Sequence, residues 1–194
     1  MARPRTLDDS DLIAKLSMVF RDEGFEGASL SDLAQAAGLK RASLYHRFPG
    51  GKEQMAQEVL ANALEWFGAN VVGKLQGDGT PQDRLNAALT TLAEFYANGK
   101  LACLLNMLSA PDGTLRATDA GIRAGFTALT DGFGTIAEDA GMAPELARKR
   151  AVRAVALLHG SLVMSRGLGE TYPFAECLEG IRETLLGRAT EADQ

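Results

Sequence analysis

The sequence predicts an all-α protein. Apolar residues recur at i, i+3 and i+4 spacing through most of the chain, alternating β-branched runs are missing, and Gly and Pro punctuation separates the periodic stretches. The 194 residues, 46% hydrophobic and 23% charged, can bury a real core and exclude a disordered chain. No run approaches the roughly 20 apolar residues that cross a bilayer. The start, Met1-Ala2-Arg3-Pro4-Arg5, is basic but leads into no apolar signal core, so a cytoplasmic protein with no membrane partner is expected.

The first helix is read over 8–23, with Leu12, Ile13, Leu16, Val19 and Phe20 as its stripe and Asp8 and Asp9 at its positive end. Gly24 is placed to end it, and Gly24-Phe25-Glu26-Gly27 reads as a tight connector. Ser29 caps a second helix, with Asp32 three residues on as in a capping box, and Gly38 breaks it. A third helix covers about 41–47, stopped by Pro49-Gly50-Gly51. A long helix follows over 52–75, with Met55, Val59, Leu60, Ala63, Trp66 and Phe67 inward. After the Gly77-Pro81 loop come helices over 81–98, 101–109 and 115–139, with Pro111-Asp112-Gly113 as a break. Pro144 opens a helix to about 166, a last one runs from about 173 to 188, and 189–194 read as a frayed tail.

Within this series, the second and third helices have a specific spacing. A small residue, Ala34, sits where one helix would cross the other. Gly38 follows four residues later, where a turn needs positive φ, and Leu44 six residues beyond plugs the corner. Leu33, Ala37 and Leu39 complete this small core. Such a helix-turn-helix points to double-stranded DNA, because its second helix fits the major groove. The net charge of −5 argues the other way, but its distribution does not: residues 33–52 contain four bases and no acid. A local basic face binds phosphates even on an acidic protein, since charge is screened beyond about 8–10 Å. The exposed face carries Lys40, Arg41, Ser43, His46 and Arg47 as donors. Tyr45, His46 and, from the preceding helix, Ser29 and Ser31 are placed to reach phosphates. Lys52 lies at the start of the fourth helix, where an ammonium and free amides could share a phosphate.

The run from Ser29 to Glu53 closely resembles the signature of TetR-family transcriptional regulators, most of all in Leu44-Tyr45-His46-x-Phe48-Pro49 followed by Lys52-Glu53. The strong resemblance covers residues 8–60; the remainder agrees in length and helical pattern. The family more often has one residue between the proline and the lysine, where this chain has Gly50-Gly51. The resemblance implies that Lys40, Arg41, Ala42 and Ser43 face bases or adjacent phosphates and that Tyr45, His46 and Lys52 bind phosphates. Leu33, Ala37, Leu44 and Phe48 would be structural. It also implies an N-terminal three-helix DNA-binding domain, 1–52, and a helical effector-binding and dimerisation domain, 53–194.

For that second domain the resemblance implies a small-molecule pocket in the middle helices and a homodimer through the last two. Residues 151–164 are small or apolar on more than one face, as a helix between its own core and a partner requires. Pocket candidates are Trp66, Phe67, Phe95, Tyr96, Cys103, Asn106, Met107, Phe126, His159 and Met164, which combine aromatic area, soft sulfur and a few polar anchors. His159 stands in an apolar run and fits a core histidine bonded to a carbonyl. Cys103 has no base beside it in sequence, which favours an inert buried thiol. Together these expectations describe a repressor that binds a palindromic operator and is released by a small, mostly apolar effector. The alternative is a DNA-binding regulator triggered by thiol oxidation at Cys103 or Cys177. An all-helical enzyme finds no support: there is no Walker loop, no Gly-x-Ser-x-Gly elbow and no His-Glu-x-x-His, and no catalytic residue, metal or cofactor is expected.

Overall fold

The computed structural model describes residues 9–110 and 116–187. Arg3, Arg5, Asp8, the Pro111-Asp112-Gly113 break, the helix start at 115, Arg188 and the 189–194 tail lie outside them. The described residues form helices and no strand, as the periodicity requires. None of these helices is long and apolar enough to cross a membrane.

Helix α1 spans Asp9–Gly27 and buries Leu12, Ile13, Leu16 and Phe20. Its regular course ends at Gly24, as the sequence indicates. That residue takes φ 72°, ψ 178°, which kinks the helix, and the Ala28 N–H then closes one more turn on the Gly24 carbonyl at 3.2 Å. The glycine is needed twice over, because a Cβ there would also stand 3.3 Å from the Met107 methyl carbon. Helix α2 spans Leu30–Ala37 and α3 spans Arg41–Arg47, both as the sequence indicates.

Helix α4, Gly51–Phe67, buries Met55, Ala56, Val59 and Leu60. It runs on through a π-helical turn, Gly68–Val72, into the short α5, Gly73–Leu75, where Val71 and Leu75 are buried. Between them, residues 61–70 include no buried position, and Trp66 is 40% exposed. Ala63, Trp66 and Phe67, expected to face inward, are thus not buried, because periodicity marks a stripe without saying what covers it.

Helix α6, Pro81–Phe95, is capped by Thr80 and buries Leu85, Leu89 and Leu92. It stops three residues before the expected Asn98, because Ala97, Asn98 and Gly99 turn to positive φ (47°, 55° and 89°). Gly99 admits no side chain: a Cβ would lie 2.6 Å from that of Phe174. The helix expected over 101–109 is the short α7, Leu104–Met107. Helix α8 spans Asp119–Asp139, α9 Pro144–Leu168 and α10 Tyr172–Leu186. The last two pack as an antiparallel pair joined by residues 169–171. At the far end, buried Arg150 near the start of α9 donates Nη1 to the carbonyls of Thr184 (3.0 Å) and Gly187 (2.7 Å) at the end of α10.

By packing, the chain divides into two compact units, and not at the expected 52/53. One contains residues up to Ala63 together with Leu104–Ile122, and the other contains Leu64–Cys103 and the residues from Arg123 on. The chain passes from one unit to the other inside α4, between Ala63 and Leu64, rather than in the first turn of that helix. The 104–122 segment returns to the N-terminal unit through contacts that sequence separation hides, including the Met107 approach to Gly24.

Candidate functional site

The α2–α3 pair is built from local rules. Ser29 Oγ accepts the Asp32 N–H at 3.2 Å, and an Asp32 carboxylate oxygen accepts the Ser29 N–H at 3.2 Å, which completes the capping box. Gly38 ends α2 at φ 67°, ψ 27°, with its N–H on the Ala34 and Gln35 carbonyls. A Cβ at Gly38 would meet nothing within 4 Å, so the left-handed backbone alone demands glycine there. Leu33, Ala34, Ala37, Leu44 and Phe48 are buried beneath the pair. This small core fixes which face of α3 is left to solvent.

That face presents Lys40, Arg41, Ala42, Ser43, Tyr45 and His46, all exposed. Arg41 reaches back and donates Nη2 to Ser31 Oγ, so the two expected DNA contacts are brought together across the turn. Ser29 is exposed, but its hydroxyl proton goes to Asp32 at 2.5 Å, so the cap occupies the donor expected for a phosphate. Lys52 is also partly committed. Its Nζ lies 3.2 Å from the Ala28 carbonyl, 3.5 Å from that of Glu26 and 4.6 Å from the Phe25 ring centroid. One ammonium thus fastens the α1–α2 connection to the start of α4.

Arg47 departs from expectation. It does not belong to the free donor face but pairs with Glu58 Oε2 at 2.9 Å and Asp9 Oδ1 at 3.2 Å. Hydrogen bonds to Glu58 and then Asp9 raise its pKa further. It joins α3 to α1 and α4. Arg116 was not foreseen at all. It donates to Glu26 and stacks at 4.3 Å over the Phe25 ring, which Lys52 also approaches. No local pattern could have indicated a partner so distant in sequence. The inserted Gly50-Gly51 has a physical reason as well. Gly51 turns at φ +65° to open α4, and Gln54 Oε1 accepts the Gly50 N–H at 2.8 Å.

In the second unit, most of the pocket candidates converge. The Trp66 and Phe95 rings stack at 4.9 Å, Phe67 meets Phe95 at 5.9 Å, and Phe95 meets Tyr96 edge-on at 5.0 Å. Tyr96 OH donates to Cys103 Sγ at 3.6 Å. Phe126 packs on His159 at 4.8 Å, and His159 Nδ1 lies 2.8 Å from the Val155 carbonyl, the core bond expected of it. Three candidates stand elsewhere. Asn106 and Met107 belong to the N-terminal unit, where Asn106 is exposed and Met107 packs on Gly24. Met164 is 54% exposed on the outer face of α9.

That outer face is apolar. Val152, Leu157, Val163, Met164 and Leu168 of α9 and Tyr172 of α10 are exposed, while Ala151, Ala154, Leu158 and Leu162 fill the inner side. A groove of about 540 Å³ between α9 and α10 is lined by Leu157, Gly160, Ser161, Met164, Tyr172 and Cys177 among others. Helix α9 therefore has two apolar faces, of which the described residues cover one.

A family model described as bacterial regulatory proteins, tetR family, matches residues 12–59, which are α1 to the middle of α4. Residues 12–59 are therefore a domain of the tetR family. The chain is 33% identical over 87 residues to the HTH-type transcriptional repressor KstR2 of Mycolicibacterium smegmatis, a match covering 45% of this chain and 41% of that protein. It thus spans less than half the length of that relative. The crystal structure of a TetR transcriptional regulator from Legionella pneumophila superposes with a TM-score of 0.80 over 95% of this chain and 100% of that one, at 18% identity. A cysteine mutant of the TetR family transcriptional regulator CifR, solved with 26-bp double-strand operator DNA, superposes with a TM-score of 0.70 over 94% and 98%, at 23% identity. At these identities the two structures establish the fold. All three are transcriptional regulators and none is an enzyme.

Proposed function

We propose that this chain is a transcriptional repressor that binds a near-palindromic operator as a homodimer and releases it when a small, mostly apolar effector occupies its body. The observation that carries the reading is the α2–α3 pair, whose buried face is fixed by Leu44 and whose free face offers only donors and small residues. In this reading Lys40, Arg41, Ala42 and Ser43 meet base edges or adjacent phosphates, and Ser31, Tyr45, His46 and Lys52 meet phosphates. Ser29 contributes mainly by capping α2. CifR, a TetR-fold regulator, is seen with operator DNA, which agrees with this placement.

The outer faces of α9 and α10 are the proposed subunit contact. Two such helices from each subunit make a four-helix interface, and the two-fold axis sets two recognition helices about 34–36 Å apart, one turn of DNA. Met164 is assigned to that contact. The effector is assigned to the ring cluster of Trp66, Phe67, Phe95, Tyr96 and Phe126, with Cys103 and His159 as its polar end. A fluorescence anisotropy titration of the purified chain against DNA upstream of its own gene tests the reading. The expected result is one saturable site, two chains per site, with affinity falling steeply as salt rises. Finding no salt-sensitive site in that DNA overturns it.

A further inference from the structure

Two cations share one ring at the start of α4. Lys52 Nζ lies 4.6 Å and Arg116 Cζ 4.3 Å from the Phe25 ring centroid. An ammonium has three N–H donors, and Lys52 directs two of them at the carbonyls of Ala28 and Glu26. Those acceptors carry no net charge, so Lys52 keeps its own charge and one donor for an anion.

The acid that threatens this charge is Glu26 itself. It precedes the acid-free run 33–52, yet its carbonyl oxygen stands 3.5 Å from Lys52 Nζ. Its carboxylate is therefore within side-chain reach of the same ammonium. Arg116 holds that carboxylate instead, donating Nη2 to Oε1.

The Arg116 side chain is 11% exposed, whereas that of Glu26 is 68% exposed. The guanidinium is too enclosed to meet DNA itself, and a pair so open on one side adds little to stability. Arg116 Nη1 is buried and, among the described residues, meets no acceptor, which is a poor arrangement for a strut. What the pair accomplishes is the neutralisation of one carboxylate. Arg116 is delivered by the segment 104–122, which belongs to the N-terminal unit although its sequence neighbours on both sides belong to the other. The segment is fastened to α4 by Gln57 Nε2, which donates to the Ala117 carbonyl at 3.4 Å, and is turned at Arg116 by its N–H on Asp119 Oδ2 at 3.0 Å.

We propose that Arg116 is a positioning residue for DNA binding: by holding the Glu26 carboxylate it keeps that acid off the Lys52 ammonium, which stays available to a DNA phosphate. This rests on the DNA-binding reading above and adds to it a residue from outside the helix-turn-helix. Without Arg116, the Glu26 carboxylate pairs with Lys52 in place of a phosphate and, within the roughly 8–10 Å over which charge acts, repels the backbone beside it.

The test measures anisotropy of the full-length chain and its variants on an operator duplex and on a random-sequence duplex, between about 50 and 200 mM salt, with thermal unfolding of each variant. R116Q is expected to weaken binding to both duplexes about five- to tenfold and to lower the salt slope by about one, because a phosphate contact is lost whatever the base sequence. E26Q should bind about twofold tighter than wild type, and the double variant E26Q/R116Q should return to within about twofold of it, since no acid is left to hold. In a K52Q background, R116Q should cost less than about twofold. R116Q that binds like wild type overturns the proposal. So does a double variant as weak as R116Q, which makes Arg116 a phosphate contact or a packing group, and so does an E26Q that folds but binds more weakly, which makes the pair a strut. If R116Q fails to fold, R116K and E26Q decide: R116K, which keeps the charge, should bind within about threefold of wild type at an unchanged salt slope, and a lowered slope in R116K or weakened binding in E26Q is equally fatal. A wild-type chain that finds no operator sinks the repressor reading alone, because the same ratios on the random-sequence duplex still judge Arg116. Binding to neither duplex overturns both.

Discussion

Two groups of polar side chains in this chain are organised in opposite ways. On α3 the donors stand in water and the packing lies beneath them: Leu44 and Phe48 are buried so that Lys40, Arg41 and His46 are not. In the second unit the polar groups lie among rings, as at buried Tyr96 and Cys103 and half-buried His159. The first arrangement suits a large, charged, hydrated partner that approaches from outside. The second suits a small molecule whose chemistry is read in a low dielectric, where one hydrogen bond or one proton matters more. The contrast also concerns range. The α3 face is fixed within about one turn by caps and a plug, whereas in the second unit Trp66 meets Phe95 and Phe126 meets His159 across long stretches of sequence.

The comparison breaks most visibly if the buried plug is removed. Leu44→Ala should cost about 2–4 kcal/mol of stability and abolish operator binding, although no donor has changed. Thermal unfolding with parallel anisotropy measures both, and retained binding at lost stability would separate the donor face from its core. Lys40→Ala leaves the core alone. It should weaken operator affinity about tenfold, roughly 1.4 kcal/mol, and lower the salt slope by about one, with stability unchanged. Ser29→Ala removes the α2 cap for about 1 kcal/mol of stability. Because its proton is already given to Asp32, any loss of affinity should follow from stability, and a larger loss would restore Ser29 as a phosphate donor.

The smallest effect belongs to the enclosed group. The folded His159 pKa stands above its ordinary 6.5, so the group contributes stability that is present below about that pH and lost as pH rises through the folded value. Chemical denaturation midpoints should therefore fall slightly from acid to mildly alkaline pH in the wild type. H159Q should lose that slope, and a slope that survives in H159Q assigns it to another group.

The same difference in range decided what could be read from residues alone. Ser29, Asp32, Gly38 and Leu44 each act on neighbours a few positions away, so α2 and α3 were legible almost to the residue, and so was the donor face. Gly24 was recognised as a helix breaker, but not that Ala28 would close another turn beyond it. Arg47 looked like a free donor because Asp9 and Glu58 lie outside its local pattern. Met164 and Trp66 show the limit of periodicity. It marks an apolar stripe without saying what covers it, and on α9 it cannot tell an inward face from one left for a partner.

Arg150 has a consequence for assembly. The α9–α10 pair is joined by backbone at one end and by this buried guanidinium at the other, so the hairpin is closed like a ring without a covalent bond. For the homodimer proposed above, its shape is set before the second subunit arrives, and little ordering entropy is left to be lost on association. Loosening that clasp would let the end of α10 fray and weaken pairing of subunits from a position inside the protein, as a preorganised surface predicts.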